Sequence, residues 1–254
     1  MEAIAIDNLP KIKKGDDLVK IISGAIDSKG ILLEDGDIIV VAEKIVSKAE
    51  GGVVNLDALT PSKEAERLSE KIGKDPRVVE LILGESKEIL WDENFIITET
   101  KHGFICANAG IDTSNVEEGH AKLLPKSPDA SAKKLRDGIM KNYKKQIGVL
   151  IADSWGRPFR KGSVGVAIGS SGLRTLWDRR GEKDIFGKRL KVTRVALGDS
   201  LASTASLIMG EAGEMVPVVV IKGANFAGNG TAKDLIREKE EDVFRRLDLI
   251  KLTK

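Results

Sequence analysis

Apolar residues recur at helical spacing in LVKIISGAI, and the preceding Asp16-Asp17 supplies a helix start. In DGDIIVVAEKIVSKAEG the pattern changes. The unbroken run Ile38 to Val41 predicts a buried strand after a turn, and EKIVSKAEG is read as its more polar continuation. Pro61-Ser62 opens the charged helix KEAERLSEKIG, which stops at Gly73, and Asp75-Pro76 opens a second helix in RVVELILGES. EILWDENFIITETKHGFICANAGID predicts two strands with a turn at Lys101-His102-Gly103. LLPKSPDASA, with Pro125 and Pro128, predicts a loop. Further on, the chain predicts a basic helix over Ser131 to Tyr143, a continuous apolar strand in GVLIAD and a strand over Lys188 to Ala196. A small-residue helix over Ser200 to Met209, able to pack closely, precedes the apolar strand VPVVVIKG. The tail TAKDLIREKEEDVFRRLDLIKL predicts an amphipathic helix. Strands and helices do not alternate strictly. The expected fold is therefore α+β, with mixed sheets and packed helices: one domain over 1–254, with room for two lobes and a crossover near 122–130.

Composition narrows the function classes. A 254-residue chain that is 41% hydrophobic can bury one substantial core or two small ones, which argues against disorder. No run approaches the roughly 18 apolar residues of a membrane span, and the N-terminus lacks a secretory pattern. A single cysteine, Cys106, excludes an internal disulfide framework and a cysteine-based zinc site. These features predict a cytoplasmic protein with no membrane partner. With 41 basic against 39 acidic residues and 4% aromatics, no nucleic-acid partner is expected either.

Candidate chemistry is carried by acids at the ends of apolar runs. Neither GxxxxGK[ST] nor a strand-linked GxGxxG is present, so neither a P-loop nor a Rossmann fold is expected. The glycine-rich stretches 162–172 and 223–230 suit phosphate cradles or plain tight turns. Asp112 follows CANAGI and Asp153 follows GVLIA, positions from which a strand delivers a side chain to a sheet rim. With the Ser154 hydroxyl and Glu211 they offer the oxygen ligands that hard divalent cations need. The plainer reading makes both aspartates caps or turn residues. Arg157, Arg160 and Lys161 beside Asp153 suit phosphate or carboxylate binding, or form a solvated loop. Arg174, Arg179 and Arg180 around Trp177 suit an anionic aromatic ligand, or an exposed edge. Lys44 and Lys48 share a face on a strand, where they reach phosphates or blunt an edge. His102 and His120 read as ordinary polar residues, and Cys106 as a buried, inert thiol. No Ser/His/Asp arrangement is defensible.

Taken together, VVAEKIVSKAEG, CANAGIDTSNVEEG, IADSWGRPFRKGSVGVAIG, DIFGKRL and IMGEAGEMVPVVVIKG resemble, in that order, the coenzyme F-420-0 gamma-glutamyl ligases. The resemblance runs from LPKIKKGDDL to REKEEDVFRR. It implies a GTP-dependent ligase that joins L-glutamate to the lactyl carboxylate of coenzyme F-420-0 through an acyl phosphate, then adds a second, gamma-linked glutamate. It also implies Mn2+ or Mg2+, activating K+, and an interlocked homodimer. Carried over position by position, the metal ligands are Asp112, Asp153, Ser154 and Glu211. The nucleotide contacts are Leu9, Pro10, Lys11, Ile12, Glu43, Lys44, Lys48, Asn115, Ile208, Met209, Gly210, Glu211, Ala212, Gly213, Glu214 and Met215. Lys48, Arg157 and Arg160 stabilise charge on the transferred phosphoryl group. The alternatives are the same scaffold with another amino acid or acceptor, a non-catalytic nucleotide- or deazaflavin-binding protein, and a deazaflavin oxidoreductase.

Overall fold

The three continuous apolar runs, IIVVA, GVLIA and VVVI, form adjacent strands at the centre of one sheet, as runs without polar alternation must when both faces are covered. The computed structural model describes residues 1–246. Along the chain it forms β1 (Glu2–Ile6), α1 (Leu18–Ser28), β2 (Ile38–Ala42), α2 (Glu43–Glu50) and β3 (Val53–Asn55). Next come α3 (Lys63–Ile72), α4 (Pro76–Glu85), β4 (Ser86–Trp91), β5 (Ile97–Thr100), β6 (Ile105–Ala107) and β7 (His120–Lys122). The remainder forms α5 (Pro128–Tyr143), β8 (Gly148–Arg157), β9 (Arg160–Ser171), β10 (Leu176–Asp178), β11 (Arg194–Ala196), α6 (Leu197–Met209), β12 (Val218–Lys222) and α7 (Val243–Arg246).

The main sheet has the order β1-β12-β2-β8-β9, antiparallel throughout except for the parallel pair β2–β8. α1 and α5 cover one face, packing Ile22, Ile26, Leu135 and Ile139 on Ile39, Val149 and Ile151. α6 covers the other, against Ile38, Val40, Leu150 and Val219. A separate apolar cluster gathers Leu68 of α3, Val79 and Ile82 of α4, and Ile96, Ile111 and Ala121. It lies with two small sheets, β3–β7 and β4-β5-β6. The result is the mixed α+β arrangement expected from the order of elements.

α6 packs as closely as its small residues suggest. A Cβ built on Gly165 of β9 would lie 2.6 Å from the Ala202 carbonyl carbon, so helix backbone rests on strand backbone. Gly165→Ala is therefore expected to cost about 1–3 kcal/mol, because a backbone contact cannot swing aside as a side chain does. Urea titration of the variant against the parent measures it.

Four local expectations change. EKIVSKAEG is the helix α2, not a strand: Ile45 and Val46 bury one face, and Gly51, at φ +82°, ends it in the left-handed region. Lys44 and Lys48 still share a face, now at helical i,i+4 spacing. The 86–107 segment forms three strands rather than two, with an additional turn between β4 and β5. Of Lys188 to Ala196 only Arg194–Ala196 is a strand, since the preceding residues lie on an exposed arm with Ile185 and Val192 in solvent. The tail is not one helix. A single 3-10 turn, Ala232–Leu235, is tied down by Asp129 accepting from the Ala232 N–H, and only Val243–Arg246 is helical beyond it. Between them REKEED is wholly charged and offers no face to bury. Residues 247–254 of that expected helix lie outside the described residues.

Candidate active site

Two acids reach one edge of the main sheet for a topological reason. The parallel register pairs Ala42 of β2 with Ala152 of β8 and stops there, so Glu43 and Asp153 follow side by side where β2 ends and β8 runs on to Arg157. Glu43 is 2% exposed and starts α2. Asp153 accepts hydrogen bonds from the Ser154 N–H at 2.9 Å and the Trp155 indole Nε1–H at 2.8 Å. That indole stands edge-on to buried Phe104, with centroids 5.6 Å apart.

Lys122 completes this cluster. Its ammonium, fully buried at the end of β7, forms an ion pair with the Glu43 carboxylate, while Glu43 Oε2 has no partner. Burial pushes Glu43 up from the ordinary 4.5 to about 7 despite the attraction of Lys122. Burial also raises Asp153, again opposed mainly by Lys122. Between about pH 4.5 and 7 the unfolded chain releases a proton that folded Glu43 retains, so stability falls as pH rises through that window. Glu43→Gln should flatten this decline in metal-free protein, as read from denaturant titrations at pH 5 and pH 7.5.

A second group lies beside the first. Lys48, one helical turn beyond Lys44, donates from Nζ to the Asn115 carbonyl at 2.6 Å. Its ammonium is held below the usual lysine range by burial, then by the like charges of Lys44 and Lys122. Asp112 stands at the head of the loop carrying Asn115. Its carboxylate accepts from the Ser114 N–H at 2.8 Å and hydroxyl at 2.6 Å, the turn-forming role its sequence position also allowed. A third contact joins the Ser154 hydroxyl to Glu211 Oε2 at 2.9 Å, across 57 residues of sequence.

The other expected site residues are more dispersed. Leu9 and Ile12 point into the core, leaving Pro10 and Lys11 exposed, so a ligand there meets Leu9 and Ile12 through backbone. Met209 is buried and Ile208 and Gly210 are half-buried, whereas Glu211, Ala212, Gly213, Glu214 and Met215 form an exposed loop in which Glu214 accepts from the Ala212 N–H. Arg157 and Arg160 face each other across the β8–β9 hairpin turn, and Arg157 donates to the Gly162 carbonyl. Among the described residues neither arginine donates a hydrogen bond to Asp153 or Asp112. The glycine-rich centre around Gly162 to Gly172 is mostly this hairpin's second strand, β9.

Several plainer readings hold. His102 and His120 each meet a backbone carbonyl, Pro125 and Glu118. Cys106 is buried, with its thiol pushed up to about 12 by burial and then by the Asp153 charge. Arg179 lies over Trp177 and pairs with Glu182, and Arg180 pairs with Asp178, so these two arginines are already paired within the arm. The sequence reading missed Lys122 and Trp155. Lys122 carried one signal, a lone cation between Ala121 and Leu123-Leu124. Trp155 carried none beyond its place two residues after Asp153.

Chemically, the edge offers hard oxygen ligands interleaved with ammonium groups. Among the described residues no three His, Cys, Asp or Glu side chains converge on one point. A divalent cation held by Asp153, Asp112 or the Ser154–Glu211 pair would take its remaining ligands from water or from substrate phosphates, the usual arrangement for Mg2+. The buried Glu43 oxygen without a hydrogen-bond partner and the Asp153 carboxylate beside it fit a cation-binding edge. Lys44 and Lys48 fit phosphate oxygens.

The chain belongs to the F420-0:gamma-glutamyl ligase family, whose family model matches residues 7–223. It is 61% identical over 215 residues to the coenzyme F420:L-glutamate ligase of Methanocaldococcus jannaschii, covering 84% of this chain and 86% of the relative. It is 49% identical over 246 residues to the Methanothermobacter thermautotrophicus protein of the same name, covering 95% and 98%. With the Archaeoglobus fulgidus protein of that name, identity is 44% over 246 residues, covering 97% of each. Among the described residues no helix is long and apolar enough to cross a membrane.

Proposed function

We propose that the protein joins L-glutamate to coenzyme F-420-0 at the expense of GTP, and then adds a second glutamate through the gamma-carboxylate of the first. The observation that supports this reading is identity of 61%, over most of both chains, to a relative named coenzyme F420:L-glutamate ligase. The edge built by Glu43, Lys48, Asp112 and Asp153 supports it chemically.

A carboxylate is a poor acyl donor because its oxygen leaves badly. In the proposed route a carboxylate oxygen of the acceptor attacks the γ-phosphorus of GTP, the bond to the β–γ bridging oxygen breaks, and GDP departs with that oxygen. The acyl phosphate formed is attacked at carbon by the glutamate amine, which gives up a proton, and inorganic phosphate leaves. Such transfer depends on positioning and charge neutralisation rather than on a protein nucleophile. Lys44 and Lys48 bind phosphate oxygens from one face of α2, and Lys48 stabilises charge on the transferred group. Arg157 or Arg160 adds to this if the hairpin tip folds over the bound nucleotide. Pro10, Lys11 and the 208–215 segment, the end of α6 and the loop after it, frame the nucleotide. Mn2+ or Mg2+, held by Asp112, Asp153, Ser154 and Glu211, would neutralise phosphate charge when bound. The half-buried Asp153 and Trp155 limit the access of water to the acyl phosphate. K+ activation, a homodimeric active form and a cytoplasmic setting belong to the same reading.

Mass spectrometry tests it. Protein incubated with coenzyme F-420-0, L-glutamate, GTP and Mn2+ should yield product heavier by one and then two glutamyl units. GDP and phosphate without that product would replace the acceptor. Neither, from folded protein, would overturn the ligase reading for this substrate pair.

A further inference from the structure

We propose that Lys122 is a positioning residue that clips the Glu43 helix to the Asp112 loop and sets the orientation of Glu43. The proposal rests on the ligase reading and deepens it at the same site.

Lys122 is 1% exposed, among the largest fully buried side chains of the chain. Core packing alone does not call for a charge there, since apolar residues of similar volume fill such positions at no loss of stability. Its backbone pairs with Asp112 on both sides: the Lys122 N–H donates to the Asp112 carbonyl at 2.8 Å, and the Asp112 N–H to the Lys122 carbonyl at 3.1 Å. Its side chain crosses to Glu43, 79 residues earlier. One residue therefore fixes the backbone of one candidate metal ligand and the carboxylate of one candidate nucleotide contact.

The same two segments are joined again by the Lys48 ammonium on the Asn115 carbonyl, so α2 and the 112–115 loop are clipped at two points. Only the Lys122 clip is dry. Among the described residues Glu43 Oε2 has no hydrogen-bond partner, so the contact through Oε1 is what orients that carboxylate. The charged groups facing Lys122 are Glu43, Asp153 and the lysines of α2. Without the ammonium, Glu43 would be free to turn away from the edge that Asp153 shares.

The test is a double-mutant cycle on the full chain with Lys122→Met, Glu43→Gln and the double variant. It reads steady-state turnover and, separately, GTP binding by calorimetry with Mn2+ present. Lys122→Met should raise KM for GTP about tenfold, with a smaller change in KM for coenzyme F-420-0. Glu43→Gln should do the same, and the double variant should be no worse than either single, because both remove one interaction. Losses that multiply, or an unchanged KM for GTP with lowered stability only, would overturn the positioning role. Should Lys122→Met fail to fold, the double variant, which buries neither charge, is compared with Glu43→Gln alone: equal GTP affinity is expected, and a further loss overturns the proposal. If the wild type binds GTP but forms no glutamylated product, the ligase reading fails while the binding cycle still decides the role of Lys122. Absence of GTP binding by the wild type overturns both.

Discussion

Asp153→Asn is expected to lower glutamyl transfer by more than about 100-fold, since even the outer partners of metal ligands cost about 10–100-fold when removed. The substitution keeps the size of the side chain and removes its charge. It also sets an amide against two donors, the Ser154 N–H and the Trp155 indole N–H, which the carboxylate satisfies with one oxygen each. One of the two asparagine terminal atoms is itself a donor, so one of those contacts is lost whichever way the amide turns. The fold should survive, because burial already favours the uncharged form of this side chain. Mn2+ calorimetry separates the causes: weaker metal binding together with lost turnover assigns the charge to the cation, and full turnover removes Asp153 from the site.

Lys48→Met should lower kcat about 100- to 1000-fold, the range seen when one preorganised donor to a developing negative charge is removed. Lys48 lies on half-buried α2 surface, and its one hydrogen bond is to a main-chain carbonyl, so stability should change little. Arginine should not restore the rate. A planar guanidinium cannot take the place of a compact ammonium wedged between Asn115 and the other lysines. A single-turnover measurement with excess enzyme would show whether the loss lies in the chemical step. An unchanged single-turnover rate would move Lys48 out of the transfer step.

How much of this was readable along the chain differed by element. The apolar runs at β2, β8 and β12 had strand length and no helical period, and all three are strands buried on both faces. Asp17, Ser62 and Asp75 cap α1, α3 and α4 as their residue types suggested. EKIVSK was misread because a short polar stretch after a strand satisfies both periods. Its helical state was decided by what Ile45 and Val46 pack against. The tail misled for the opposite reason: helical spacing at its two ends concealed a charged middle with nothing to bury.

The sequence by itself determined the fold class, the central strands, the acid that follows the apolar run of β8 and, through its motifs, the family. Those signals are local, because burial period and capping chemistry act within a few residues. Only the tertiary structure decided which acids meet. The parallel register that puts Glu43 beside Asp153, the crossing of Lys122 to Glu43 and the Ser154–Glu211 contact join residues far apart in the chain. Pairings of that kind depend on strand order and on the burial of charges away from water, and no spacing along the chain records either.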